Sequence, residues 1–594
     1  MRSILKYMAL ACIALVMASC VQDLNTKPID PNSSTTFNAD RMFTKCYGCM
    51  AYIGQSGPGE NSDVDWPGLD AGTSGFYRVI WYCNELSTDE AWWIWSDTES
   101  KELCQTMWEG TNTMMGAIYS RLVLNIKYCN HFLAYAPNET DEDKYRRAEV
   151  RFIRALHYYY LMDMFLYSPF VIEESSDFPH FLPRHKVYEW LVDELKDVII
   201  ELPVKRLQDY RVGKAAAQLL LARVYINADV YNKYNPEWTA NSDATWQKAY
   251  TAANAVIEDN KGIHELVTEN FTTDSGFVYT AYQQLFMADN HRPEVIKESL
   301  FQIYQDGNYT QSYANSIMLI AAPRTRGGMN PCGLNDDAMW QSIRTSPTLV
   351  DKFLKPRGID RETAKDMVYD EFHMPAQLHD DRAILSSDGL TTGYKYQLKG
   401  DQLLGNVEYL FTSWSALKFT GVSHDAALPK YHVRQNNNWP DTDIPMMRLA
   451  EAYMIKAEAL GRQGKWTDAR DIINNVIRAR AHADALPTLD EATLLDEWSR
   501  EFYFEGRRRI DLVRFGRFFG PESDKYRYHW EGRMGKDDMP PAENSPFFVA
   551  GTSDHMNWFP IPSSDKRSNP NFKTDVEGDP NNIFAAQGGD GYAY

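Results

Sequence analysis

Two widely separated stretches of the chain follow one plan, and that plan limits the fold more than any other feature. Lys214 to Asn227 (KAAAQLLLARVYIN) is followed, after an insertion, by Trp246 to Asp259 (WQKAYTAANAVIED), and Arg448 to Gln463 (RLAEAYMIKAEALGRQ) is followed at once by Gly464 to Ala479. Each pairs a helix rich in small residues with a second helix that opens on an aromatic and carries alanines. That is the tetratricopeptide arrangement, in which small side chains let neighbouring helices pack closely. Gly461 and Gly464 suit the turn of the second pair, and Thr467 is the expected N-cap of its second helix. Elsewhere, Lys144 to Tyr167 places Ala148, Phe152, Ala155, Tyr159 and Met162 on one face at spacings of three and four, with Arg147, Arg151 and Arg154 on the neighbouring stripe. Trp108 to His131 reads as one long helix, and another runs from near Pro183 to Pro203. The expected class is therefore all-α dominated, with tetratricopeptide-like helix pairs as the scaffold.

Between about Asn260 and Pro440 the helical period weakens and turn residues multiply, as in RTRGGMNPCGLNDD and HVRQNNNWPDTD. Long irregular segments inside a folded protein usually carry function. The part after Phe519 is also loop-rich, with Trp530, Trp558 and Tyr592 scattered through it. We expect a single domain over 41–594, its helical scaffold mainly in 105–260 and 445–520 and its loop-rich ligand-binding part mainly in 60–104 and 260–440.

The start of the chain reads as an export signal over 1–19. Arg2 and Lys6 precede the apolar run Met8 to Ala18, which is too short to span a bilayer. Met17-Ala18-Ser19-Cys20 resembles the lipobox at which bacterial lipoproteins are cut and the cysteine is acylated, whereas the A-x-A-like end of an ordinary cleaved signal is missing. Cys20 is thus the expected lipidation site, lipid the expected anchor, and the polar Pro/Asn/Ser-rich segment 20–40 a flexible tether. The 61 Lys plus Arg against 81 Asp plus Glu give a net charge of −20, which argues against nucleic acid as a partner.

Motifs for nucleophilic, phosphate or zinc chemistry are missing: there is no G-x-S-x-G, HExxH, Walker or dinucleotide glycine pattern. Cys46-x-x-Cys49 has no second pair to complete a metal site, and a redox role is not expected of it. Glu501 and Glu505 lie one turn apart amid Arg500, Arg507, Arg508, Arg509 and Arg514. One face of a single helix cannot flank a sugar from both sides as a glycosidase requires, so a salt-bridged helix and turn is expected there. Asp63, Asp65 and Asp70 would suit calcium by their oxygens, but lack the spacing of a known calcium loop and read as solvated. No cofactor is expected, structural calcium at these carboxylates being the one alternative.

What remains is aromatic. The chain holds 16 Trp, 35 Tyr and 27 Phe, more than a core of this size needs. Trp92-Trp93-x-Trp95 packs three indoles into four residues, and in extended chain Trp93 and Trp95 share a side. Acidic neighbours on both flanks argue against burying all three, so an exposed platform for the flat faces of sugar rings is expected.

The lipobox, RRAEVRFIRALHYYYLMDMF, DIPMMRLAEAYMIKAEAL, EWSREFYFEGRRRIDLVRFG and FPIPSSDKRSNPNF together resemble the SusD/RagB family of outer-membrane lipoproteins of Bacteroidota over essentially the whole mature chain. The usual Q-N-x-G-Y ending of that family is altered here. The resemblance implies a surface-exposed, lipid-anchored outer-membrane protein that binds oligo- or polysaccharide without catalysis and serves a SusC-like TonB-dependent transporter as its lid. FNADRMFTKCYG, SGFYRVIWYCNELSTDEAWWIW and LFMADN are similar to a starch-binding member, whose ring arc falls at Trp95, Tyr313 and Trp340 here and whose sugar-bonding arginine falls at Arg78. Thr98 stands where that member has an asparagine that contacts the sugar, and the loop between Tyr313 and Trp340 diverges. Glucan is the expected ligand class. The alternatives are a transporter lid that takes a non-glycan nutrient or peptide through its helical repeats, and a glycosidase.

Overall fold

The computed structural model describes residues 36–54, 61–64, 66–93, 97–106, 108–274, 276, 278–322, 340, 342–360, 363–364, 378–387, 414–425, 439–519 and 557–580. Its principal helices are α1 (Ala39–Ala51), α2 (Thr113–Tyr135), α3 (Asp141–Met164), α4 (Arg184–Glu201), α5 (Lys214–Ile226), α6 (Asp243–Asp259), α7 (Leu449–Arg462), α8 (Trp466–Ile472), α9 (Glu491–Phe502) and α10 (Arg508–Arg514). From α2 to α6 each helix packs on the one before it in the chain, α7 packs on α6, and α8 on α7. The helices therefore form a nearest-neighbour stack of the repeat kind, and the chain leaves it after α6 and re-enters at α7. The segment between them, about 260–448, is an excursion between two consecutive helices of that stack.

Local chemistry sets the ends of these helices. Thr140 and Asp143 form a reciprocal capping box at the start of α3, satisfying two backbone donors that the first turn leaves open. Residues Ala148, Phe152, Ala155, Tyr159 and Met162 are all buried along α3, as their spacing predicts. Of the arginine stripe beside them, Arg151 and Arg154 share Glu194 of α4 at 2.7 and 3.0 Å, and Arg147 donates to the Ala136 carbonyl. Ala215, Ala216, Ala217, Ala249, Ala253, Ala450 and Ala457 lie buried at the α5, α6 and α7 contacts, where any larger side chain would push the helices apart.

Two sequence expectations are corrected. The helix expected from Trp108 begins at Thr113, because the Asn112 side chain accepts from the Met114 and Met115 amides and so caps it there. Trp108 instead sits in the core against Phe559, ring centroids 5.1 Å apart. Thr467 is not an N-cap: α8 begins at Trp466 after Lys465, with no side-chain capping bond. The turn closes earlier because Gly464 adopts φ +77° and Trp466 folds onto Gly461, where a Cβ would lie 2.6 Å from its ring.

Short antiparallel pairs tie the excursion back to the stack. Ser299–Ile303 pairs with Ile444–Arg448, which runs directly into α7. Ala91–Trp93 pairs with Ile343–Thr345, Trp93 facing Ile343. Beneath α9 and α10 lies a buried lattice of charge. Arg448 donates to Glu298 at 3.0 Å, Glu501 at 3.0 Å and Glu505 at 2.7 Å, Arg480 pairs with Glu298 and Glu501, and Lys418 pairs with Glu505 at 2.6 Å. Glu497 takes Arg382, Arg478 and Arg500. Among the described residues, no helix is long and apolar enough to cross a membrane.

Candidate functional site

The short helix Phe76–Trp81, with the π-helical turn Tyr82–Leu86 that continues it, supplies the first two side chains of the site. Arg78 and Tyr82 are four residues apart and so share a face: Nε and Nη2 of Arg78 each donate to the Tyr82 hydroxyl at 3.1 Å. The start of that helix lies flat on the 313–315 loop. A Cβ on Gly75 would fall 2.4 Å from Cα of Ala314, so glycine is what permits the approach, and the Arg78 amide donates to the Ala314 carbonyl at 3.1 Å. Nη1 of Arg78 reaches the Tyr313 carbonyl at 3.4 Å. The Asn315 carboxamide donates to the Met50 and Ala51 carbonyls, pinning the other side of the loop to the end of α1.

Three rings gather beside the guanidinium, Trp340 directly against it. Trp340 is held by its amide, which donates to the Ala321 carbonyl, and by the next anchor, Ile343 N to Ala322 O at 3.0 Å. Its ring lies 5.2 Å from Cζ of Arg78 and 5.6 Å from the Tyr313 ring, inclined at 46°. On the other flank Tyr313 meets Trp439 at 4.8 Å and 53°. Tyr313 and Trp340 are half-buried and Trp439 is buried. Arg78 is only 7% exposed, and its hydrogen bonds among the described residues run to neutral oxygens. Burial pushes the Tyr82 hydroxyl above its ordinary range although Arg78 pulls it back, so it stays a neutral donor and acceptor at ordinary pH.

Sequence reasoning thus named three members that the structure brings together, Arg78, Tyr313 and Trp340. Trp93 has a different place: it is 5% exposed, edge-on to Tyr82 at 5.3 Å, with its indole N–H donating to Asp97. Strand pairing turns it inward, so it supports Tyr82 from behind and presents no face to solvent. Thr98 is exposed as the first residue of the helix Thr98–Gln105. Trp95, Cys20 and Asp65 lie outside the described residues. Two members were missed. Tyr82 had a legible signal, its i+4 spacing from Arg78, but Trp439 sits in an asparagine-rich loop with nothing in the sequence to link it to Tyr313.

The other candidates fall elsewhere. Glu501 and Glu505 are bound up in the buried lattice with Arg448, Arg480 and Lys418. Asp63 pairs with Lys45 at 2.9 Å, and Asp70 caps the turn Ala71–Ser74 through the Thr73 amide. Cys46 and Cys49 are buried free thiols. The cluster has the makings of a binding surface: ring faces for apolar contact, and guanidinium and phenol groups to meet hydroxyls beside them.

Comparison with known proteins agrees in fold and in sequence. Residues 297–576 match the SusD family model. The chain is 34% identical over 590 residues to the starch-binding protein SusD of Bacteroides thetaiotaomicron, covering 95% of this chain and 96% of that protein. Among solved structures, surface glycan-binding protein A from Bacteroides uniformis aligns with a TM-score of 0.59 at 17% identity, covering 90% of this chain and 98% of the other. A SusD-like carbohydrate-binding protein from Bacteroides fragilis aligns with a TM-score of 0.59 at 17% identity and the same coverage. The chain belongs to the SusD family.

Proposed function

We propose that this protein is a non-catalytic carbohydrate-binding protein that captures oligo- or polysaccharide at the cell surface and passes it to a SusC-like TonB-dependent transporter. The observation that carries the reading is the ring cluster of Tyr313, Trp340 and Trp439 with Arg78 against Trp340, together with 34% identity to a protein named for binding starch. Flat pyranose faces stack on such rings, and the fork of Arg78 meets sugar hydroxyls. Trp95 is assigned to the same ligand arc. Glucan is the ligand class favoured by that relative, with Thr98 as the position where hydroxyl recognition differs.

Acylated Cys20 is the proposed anchor to the outer membrane. Affinity electrophoresis of the purified protein in gels cast with amylopectin, pullulan, laminarin, xylan or galactomannan tests the reading: retardation in at least one, without release of reducing sugar, is expected. Free migration in all of them would overturn it. Replacing Cys20 with Ala is expected to release the protein from membranes when no transporter is co-expressed, and membrane retention of that variant would remove the lipid anchor.

A further inference from the structure

The loop that delivers Tyr313 to the cluster begins well before it, and its earlier part carries bare aromatic rings. Tyr309 is 80% exposed, the most exposed large side chain of its kind among the described residues, and Tyr304 is 43% exposed. Beside Tyr304 stands Tyr210, 45% exposed, the two ring centroids 6.2 Å apart at 54°. His291 adds a third ring at 6.5 Å from Tyr304. The Tyr304, Tyr210 and His291 rings thus stand together at the surface and the Tyr309 ring is left bare beyond them in the chain, an unusual use of surface for rings that would otherwise be buried.

The loop is rigid for reasons that can be named. Asp306 accepts from the Asn308 amide at 2.8 Å through its side chain, and its carbonyl takes the Tyr309 and Thr310 amides at 2.9 and 2.7 Å. Asp441 accepts from the Gly307 amide at 2.7 Å and Asp443 from the Gln305 amide at 2.6 Å. The Tyr52 hydroxyl donates to the Tyr309 carbonyl at 3.0 Å. The backbone beneath Tyr309 is held at both ends while its ring is left free. A platform fixed in advance loses little conformational freedom when a ligand settles on it.

Tyr309 and Tyr313 are four residues apart, so their Cα atoms lie within about 14 Å of each other even in fully extended chain, a span that a few linked sugar rings bridge. We infer that Tyr309, Tyr304 and Tyr210 form an outlying ring platform that continues the site from Tyr313 and engages the further pyranose residues of a long saccharide chain. The inference rests on the carbohydrate-binding reading above and adds to it a preference for polymer over short oligosaccharide.

The test compares wild type, Tyr309→Ala, the double variant Tyr304→Ala/Tyr309→Ala and Tyr309→Phe. The probes are whichever of the five polysaccharides retards the wild type and the trisaccharide of the same linkage, measured by calorimetry. The double variant should bind polymer about three- to tenfold more weakly and the trisaccharide with unchanged affinity. Tyr309→Phe should keep wild-type affinity, because stacking needs the ring and not the hydroxyl. Unchanged polymer affinity in the double variant, or equal losses for polymer and trisaccharide, overturns the outlying platform and leaves the central site standing; the first of these results would hand the tyrosines to a protein partner. If the wild type is retarded by none of the polysaccharides, the function and the platform fall together.

Discussion

Two of the regions where arginine meets aromatic rings in this molecule differ in the company it keeps. Beneath α9 and α10, Arg448 lies 4.5 Å from the Phe502 ring while three carboxylates take its donors, and Arg507 lies 4.3 Å from the Trp498 ring between Glu451 and Asp511. At the candidate site Arg78 faces the rings of Tyr82 and Trp340, and among the described residues its hydrogen bonds go to a phenol and a carbonyl. Where carboxylates close the set, the charge is cancelled and the group works as internal structure. At Arg78 neutral oxygens take their place among the described residues, beside half-buried rings, and the proposed saccharide would meet a charged donor there. The same two residue types thus make a scaffold in one region and a candidate binding surface in the other.

The largest expected effect strikes the scaffold side. Arg448→Ala leaves Glu298, Glu501 and Glu505 buried with one cation fewer, and breaking such a set by removing one partner costs about 3–5 kcal/mol. Chemical denaturation should show that loss, while saccharide affinity of the remaining folded protein stays at the wild-type value. A variant of wild-type stability would mean that the lattice is not the internal structure described here.

Acid should separate the two regions next. Burial alone would raise the Glu497 carboxyl, but Arg382, Arg500 and Arg478 outweigh it and hold it down at about 2, from 4.5. Burial lowers His157 to about 4 against the Ile153 carbonyl, and lowers His264 to about 4, with Arg206 adding to it. All three are depressed on folding, so each contributes stability that is complete above its unfolded value and lost as pH falls toward the folded one. Stability should therefore decline from about pH 6.5 through the two histidines, then about half as steeply between about 4.5 and 2, by about 3 kcal/mol through Glu497. If the proposed site of Arg78, Tyr82 and three rings carries the saccharide, its affinity should stay level down to the onset of unfolding. An affinity that falls in step with stability from pH 6.5 would place a titrating group in the site.

Legibility in the sequence followed the same division. Helix pairing was readable because it is written at short range: the concentration of alanine in Lys214–Ile226 (Ala215, Ala216, Ala217, Ala222) and in Leu449–Arg462 (Ala450, Ala452, Ala457, Ala459) leaves few alternatives to close packing. Helix starts were less so, since whether Asn112 or Trp108 opens α2 depends on which side chain the core claims. The cluster was readable only in part. Arg78 and Tyr82 sit on one helix face, but Tyr313, Trp340 and Trp439 come from separate loops, and their meeting is decided by long-range contacts such as Arg78 N to Ala314 O and Ile343 N to Ala322 O. Trp93 was misjudged because alternation tells which residues share a side and not which side faces water. Its strand partner, Ile343, decides that.

Trp340→Ala tests the surface side of the comparison. The ring is half-buried, touches Tyr313 and Arg78, and truncating a central binding aromatic costs about 2 kcal/mol or more, so affinity should fall about thirtyfold. Thermal stability should change little, because a half-exposed ring leaves no sealed cavity when removed. If the melting temperature dropped as for a buried tryptophan, at about 3–5 kcal/mol, and affinity held, the ring would belong to the scaffold and the comparison would fail at its centre.

The smallest effect is the most discriminating, because it isolates what the arginine does. Arg78→Lys keeps the positive charge and most of the stem but replaces a planar fork by a single ammonium. Nε and Nη2 now hold the Tyr82 hydroxyl while Nη1 holds the Tyr313 carbonyl; one ammonium cannot span both and still present a donor to a ligand. Affinity for the preferred saccharide should drop by about 1 kcal/mol, or roughly fivefold. Affinity for isomers that differ in one hydroxyl should drop less, since stacking on Tyr313 and Trp340 does not depend on hydroxyl placement. Selectivity should therefore narrow while binding persists. Calorimetry across a set of epimeric oligosaccharides reads this directly: a uniform loss for all of them would assign Arg78 to holding Tyr82 and Tyr313 in place, and an unchanged ranking with unchanged affinity would show that charge alone, without the fork, suffices at this position.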